Sequence, residues 1–206
     1  MPHLSKETSS SFDAIAFENV KKDERTYSVK FSEPLTIQTK RSTVASGDFS
    51  SPLVRVDLDD ETAQILRAFE VFIKDETKKR KSEWFKKAIS DAYLDSSFKT
   101  YFKDGDAAPN RTALKVADDF ALFDAEGNAL ADAASPGGDA ERTVGDYVFL
   151  LEATQITFGK TEYGCLWKAR QAVPLPPPPK TKCLIQVTDD EATAPGAADD
   201  DEDYFL

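Results

Sequence analysis

The sequence predicts a mainly β protein of the α+β class, an OB-like β-barrel of five or six strands with a helical segment inserted at about 59–95. Three features support this fold. Several segments alternate apolar and polar residues, as half-buried strands do. One amphipathic helix follows the second strand, and a long hairpin occupies the second half of the chain. A closed barrel would remove the exposed sheet edges, and a two-sheet sandwich is the alternative.

Strands and helices are predicted in a definite order along the first half. Alternation predicts a strand over Tyr27–Ile37, kinked at Pro34, and a second strand over Val54–Leu58, while residues 43–51 are expected to form a loop. Asp59 or Asp60 is expected to cap a helix that runs to about Lys79, and a second short helix is expected from Ser82.

The second half is predicted to be sheet. Two short strands are expected at 114–116 and 120–123, followed by a turn at Gly127–Asn128 and a surface loop over 131–143. The strongest pattern is a hairpin of Asp146–Thr157 with Tyr163–Ala172. Residues 173–179 are rich in proline and should be extended, and a last strand is expected at 182–187.

The charge is concentrated in one segment. The formal net charge is −11, but residues 189–206 hold eight acidic residues and no Lys or Arg, which leaves 29 acids against 26 bases elsewhere. We therefore expect a disordered leader over 1–11, one OB-like domain over 12–188 and a disordered acidic tail over 189–206. No apolar run suggests a signal peptide or a membrane span, so a soluble intracellular protein without membrane partners is expected.

The tail has a composition typical of a docking peptide. An acidic run is followed by three apolar residues, which combines long-range attraction with a hydrophobic anchor. A solubilising tail is the alternative interpretation. The docking residues are Asp199, Asp200, Asp201, Glu202, Asp203, Tyr204, Phe205 and Leu206.

This ending resembles the acidic, aromatic-capped C-termini of bacterial and phage single-stranded-DNA-binding proteins. Over about 53–173 the chain is similar to the podophage-type branch of that group found in large DNA viruses of eukaryotes. The similar stretches are Val54–Thr62, Thr157–Lys160 and Leu166–Lys168. The resemblance implies an OB fold, a homodimer and cooperation with replication enzymes such as a polymerase or primase-helicase. It also implies a site of action in the host nucleus or a cytoplasmic viral replication site.

Two segments combine the cations and aromatic rings that single-stranded DNA binding requires. One is a basic cluster with an adjacent ring: Lys78, Lys79, Arg80, Lys81 and Trp84. The other is the hairpin: Phe158, Lys160, Tyr163, Trp167, Lys168 and Arg170. Alternation places Tyr163 and Trp167 on one face of the returning strand, with Lys168 and Arg170 on the other. Phe158 and Tyr163, near the turn, are the predicted stacking rings, whereas Trp167 is either a core residue or a stacking residue. A solvated helix end is the alternative for the basic cluster.

No enzyme, cofactor or metal is expected. His3 is the sole histidine, and the spacing of Cys165 and Cys183 fits no metal site, so both cysteines are expected to be reduced thiols. Gly159-Lys160-Thr161 lacks the earlier glycine and the following helix of a phosphate-binding loop. The cations and aromatic rings predict sequence-independent binding of single-stranded DNA, and the resemblance implies a role in viral replication or recombination. A virion structural or scaffold protein is the alternative.

Overall fold

The structure, a computed structural model, describes residues 12–22, 26–47, 49–102, 108–130 and 144–177. The predicted leader over 1–11, the loop over 131–143, the last strand over 182–187 and the acidic tail lie outside these ranges. Within them the elements are β1 (Lys21–Lys22), β2 (Tyr27–Gln38), β3 (Ser42–Ser46), β4 (Leu53–Asp57), α1 (Asp60–Trp84), α2 (Asp91–Ser97), β5 (Arg111–Leu122), β6 (Gly145–Phe158) and β7 (Tyr163–Pro174).

The sheet closes on itself through β6. One edge of β6 pairs with β2 and then with β3, and its other edge pairs with β7. The ring is completed because β3 pairs with β4, β4 with β5, and β5 with β7 in parallel. The five strands β3, β4, β5, β7 and β6 thus form a barrel, and β1 and β2 extend its sheet beyond β6. The predicted mainly β, OB-like fold with an inserted helical segment is confirmed, and both helices lie between β4 and β5.

A bend between β2 and β3 lets the chain change partners. At the bend, the Thr39 amide donates to the carbonyl of Phe149, and the Thr39 hydroxyl oxygen accepts from the Phe149 amide. The Asp59 carboxylate caps α1 by accepting from the Thr62 amide at 2.9 Å, and it also accepts from the Lys40 amide at 2.9 Å. Asp59 is therefore the N-cap, and it also ties the helix to the bend.

Several predicted boundaries are wrong. The expected loop over 43–51 overlaps β3 (Ser42–Ser46), and this strand of five residues is too short for alternation to be evident. Helix α1 continues past Lys79 to Trp84, and the second helix begins at Asp91, where Ser90 caps it, rather than at Ser82. The two short strands expected at 114–123 are one strand, β5, with a register shift between Val116 and Ala121.

The core is rich in aromatic rings that join α1 to the barrel. Phe69 of α1 is fully buried, and its ring centroid lies 5.5 Å from that of Trp167 on β7 and 6.1 Å from that of Phe31 on β2. Phe12 packs on the same ring at 5.6 Å, so the chain just after the predicted leader belongs to the domain. No helix within the described ranges is long and apolar enough to cross a membrane.

A buried carboxylate joins α1 to the segment that precedes β5. Glu70 is only 7% exposed, and it accepts hydrogen bonds from the Thr100 hydroxyl and the Tyr101 amide. Burial raises the pKa of Glu70 above its ordinary value of 4.5, although these hydrogen bonds and the charges of Lys74 and Arg67 lower it. The folded state therefore favours the protonated carboxyl more than the unfolded state does.

Replacing Glu70 by Gln should remove a pH-dependent part of the stability. A folded pKa above the unfolded one gives stability that is fully present below the unfolded pKa and is lost as pH rises through the folded pKa. The difference between the melting temperatures of the wild type and Glu70→Gln should therefore favour the wild type most in acid and should shrink toward neutral pH. Thermal denaturation between about pH 4 and pH 8 measures this. A difference that grows with pH would contradict it.

Candidate nucleic-acid interface

The outer surface of three adjacent strands carries a regular set of basic and apolar side chains. We call it the β4–β5–β7 face, and it consists of Leu53, Arg55, Ala113, Lys115, Leu166 and Lys168. Each strand contributes one apolar and one basic residue, two positions apart, and residues so spaced lie on the same side of a strand. The residues between them, such as Val54, Leu114 and Trp167, are buried in the barrel.

The strand register aligns these residues in two rows. Leu53 is opposite Lys115, and Lys115 is opposite Lys168, so one row runs from an apolar residue to two neighbouring cations. Arg55 is opposite Ala113 in the second row, to which Leu166 contributes from β7. Neighbouring strands lie about 4.8 Å apart, so the rows span about 10 Å. Leu53 and Leu166 remain 53% and 43% exposed, so apolar surface lies directly beside the cations.

Ion pairs border this face at both ends. At one end the Arg111 guanidinium donates to both carboxylate oxygens of Asp57, at 2.7 and 2.8 Å, and this contact lowers the pKa of Asp57. At the other end Arg170 lies 2.7 Å from Asp119 and 3.7 Å from Glu152. Between them, the side chains of Arg55, Lys115 and Lys168 form no ion pair or hydrogen bond with another described residue. Within the described ranges, no carboxylate neutralises their charges.

The predicted placement of Lys168 and Arg170 on β7 agrees with the structure, but their surroundings differ. Both lie on the outer side of β7, opposite to Tyr163 and Trp167, as alternation predicts. Lys168 belongs to the β4–β5–β7 face, whereas Arg170 is neutralised at its border. Lys160 is exposed in the turn between β6 and β7.

The basic cluster of α1 lies in a network of ion pairs. Lys78 lies 2.6 Å from Asp95 and Lys81 lies 2.6 Å from Asp91, so both connect α1 to α2. Lys79 and Arg80 both contact Glu76, at 2.8 and 3.1 Å. All four cations therefore have carboxylate partners, which a phosphate would have to displace. DNA binding by this cluster stays a prediction.

The expectation that the predicted stacking rings are exposed is wrong. Trp84, Phe158 and Tyr163 are at most 5% exposed, and Trp167 is 1% exposed, which supports its interpretation as a core residue. Phe158 and Tyr163 stack on each other with ring centroids 5.4 Å apart. They are covered because Phe85, at the end of α1, packs on Phe158 at 5.0 Å, and Phe98, just after α2, packs on Tyr163 at 5.3 Å.

Sequence reasoning missed Arg55 and Lys115 as site residues. Their alternation with buried neighbours was visible, but alternation does not reveal which strands are adjacent. The parallel pairing of β5 with β7 places Lys115 beside Lys168, and this pairing depends on the closure of the barrel. The sequence pattern therefore did not show which strands are neighbours in the sheet.

The described residues include no candidate metal cluster and one free cysteine, Cys165. No group of three or more His, Cys, Asp or Glu residues in the described ranges could hold a metal ion. Cys165 is a buried free thiol, and burial raises its pKa to about 12, so it stays protonated at neutral pH.

Replacing Phe158 by Ala should destabilise the fold. Truncation of a buried Phe to Ala usually costs about 3–5 kcal/mol, because it removes apolar contacts and leaves a cavity. Chemical denaturation of the variant measures the loss of stability. Lys168→Ala is the control and should change stability by less than about 0.5 kcal/mol, because its side chain forms no ion pair or hydrogen bond with another described residue. An unchanged stability of Phe158→Ala would mean that this ring does not belong to the core.

Comparison with protein-family models and with curated protein sequences finds no match. Among solved structures, the chain is similar to a single-stranded DNA-binding protein from bacteriophage Enc34, with a TM-score of 0.44 and 14% sequence identity over 85% of this chain and 99% of that chain. A structure of that protein in complex with single-stranded DNA gives a TM-score of 0.43 and 13% identity, over 79% and 96% of the two chains. A structure of its C-terminal truncation gives a TM-score of 0.42 and 14% identity, over 77% of this chain and 94% of that chain.

Proposed function

We propose that this protein binds single-stranded DNA without sequence preference across the β4–β5–β7 face. The observation that carries the proposal is a set of three cations, Arg55, Lys115 and Lys168, that have no carboxylate partner among the described residues and are interleaved with exposed apolar side chains on adjacent strands. In OB folds the second and third strands of the barrel provide the oligonucleotide-binding surface. Here those strands are β4 and β5, which supports the same use of this face.

The chemistry of the face suits a single strand better than a duplex. Cations attract the phosphates whatever the sequence, and they account for most of the non-specific affinity. Leu53, Ala113 and Leu166 offer apolar surface to the faces of unstacked bases. Bases in a duplex are stacked on each other and cannot use that surface.

We further propose that the protein acts in viral DNA replication or recombination, in accord with its resemblance to the podophage-type branch. In this proposal, residues 189–206 compete with DNA for the basic face and recruit a polymerase or primase-helicase. Their eight acidic residues are opposite in charge to the face. Because the segment belongs to the same chain, its effective concentration near the domain is high, so weak attraction suffices for partial occlusion.

Replacing Lys115 and Lys168 by Ala should weaken binding to oligo-dT. It should also reduce the slope of log affinity against log salt by about 1.4, because each lost phosphate contact contributes about 0.7 on single strands. Fluorescence anisotropy at several salt concentrations measures both effects. The matched control is Lys22→Ala with Lys30→Ala, which removes the same charge from exposed positions on β1 and β2. Equal effects of the two double variants would refute the assignment of the site.

Replacing the five acids of 199–203 by their amides should tighten oligo-dT binding at low salt. The gain should disappear as salt screens the attraction between the acidic segment and the domain. Replacing only Phe205 and Leu206 by Ala should leave DNA binding unchanged but remove the contact with a replication enzyme, as tested by pull-down. If the amide variant binds no better than the wild type at low salt, the proposed competition is wrong.

A further inference from the structure

An exposed aromatic ring lies beside the turn that joins β6 to β7. Tyr93 of α2 is 49% exposed, and its hydroxyl donates to the carbonyl oxygen of Lys160 at 3.4 Å. The rings predicted to stack at this turn, Phe158 and Tyr163, lie buried beneath it. The structure thus provides an accessible ring near the predicted position, but on α2 and not on the hairpin.

Three cations accompany this ring, and we call Lys86, Lys87, Tyr93 and Lys160 the hairpin-tip patch. Lys86 and Lys87 directly follow Phe85, whose ring packs on Phe158 one residue before the turn. The connection between α1 and α2 therefore begins at the turn, and Tyr93 returns to the turn from α2. All three lysines are exposed.

The acidic residues around the patch already have partners. Asp91 pairs with Lys81 and Asp95 with Lys78, while Glu162 lies 2.8 Å from Lys99. The side chains of Lys86, Lys87 and Lys160 make no ion pair with another described residue. The patch therefore presents positive charge beside an aromatic surface, which is the combination that binds single strands in many proteins.

Strand β7 connects the patch to the β4–β5–β7 face. It begins at Tyr163, directly after the turn, and carries Leu166 and Lys168 further along. At about 3.3 Å per residue, the distance along β7 from Tyr163 to Lys168 is about 17 Å. An OB fold typically covers about 4–16 nucleotides, so one strand can reach both regions.

We propose that the hairpin-tip patch is a second contact region for the same DNA strand and that the ring of Tyr93 stacks on a base there. This inference rests on the proposed function, because it extends the path of the same ligand. It assigns phosphate contacts to Lys86, Lys87 and Lys160, and base stacking to a residue outside the barrel.

Substitution of Tyr93 tests the inference in the full chain with oligo-dT of about 20 nucleotides, longer than the usual site size of one OB fold. Tyr93→Ala should weaken binding about 5- to 150-fold, the equivalent of losing one stacked base. Tyr93→Phe keeps the ring and should bind within about twofold of the wild type. Val71→Ala is the control, because Val71 is 57% exposed but lies within α1, about 20 Å along the helix from the end that reaches the turn. Unchanged affinity of Tyr93→Ala, or an equal loss in Tyr93→Phe, would overturn the inference.

Fluorescence gives an independent test. Trp84 and Trp167 are buried, so DNA should barely affect their emission. In Tyr93→Trp the introduced indole should be quenched by oligo-dT, and absence of quenching at saturating DNA would overturn the inference. If Lys115→Ala with Lys168→Ala weakens binding while Tyr93→Ala does not, the proposed function stands and this inference fails. If the wild type does not bind oligo-dT at all, both fail.

Discussion

The structure depends on the pairing of β6 along both of its edges. Because β2 and β3 occupy one edge and β7 the other, the five-stranded ring has an inside and an outside. Each ring strand must then send alternate residues into the core and to the surface. On β7 this constraint buries Tyr163, Cys165 and Trp167 and leaves Leu166 and Lys168 outside. The same closure that builds the core thus determines which residues a ligand can contact.

Closure also assembles the candidate site from distant parts of the sequence. Arg55 precedes the helical insertion, Lys115 follows it, and Lys168 lies on the second strand of the long hairpin. None of the three has a carboxylate partner among the described residues, although ion pairs lie at both borders of the face. Cations at the surface without such a partner contribute little to stability, since surface charges seldom do so even when paired. A role in ligand binding therefore explains these three cations better than a role in stabilising the fold.

Local patterns predicted the elements better than the surfaces. Alternation was sufficient for β2, β4 and the β6–β7 hairpin, because each has a buried and an exposed side. It did not reveal β3, which is short and polar, and the second helix was expected from Ser82, whereas α2 begins at Asp91. The burial of Phe158 depends on the end of α1, and the neutralisation of Lys78 and Lys81 depends on where α2 packs. These contacts join residues far apart in sequence, which periodicity cannot reveal.

The cap of α1 has a consequence for how the domain opens. The carboxylate of Asp59 holds both the first turn of the helix, through Thr62, and the bend between β2 and β3, through the Lys40 amide. Fraying of the helix from its beginning would therefore also release the corner of the barrel. Local openings normally involve contiguous cooperative units, and here the shared acceptor merges two such units into one. The amides of Lys40 and Thr62 should therefore become exposed in the same opening event. Hydrogen exchange should give the same free energy of opening for both amides.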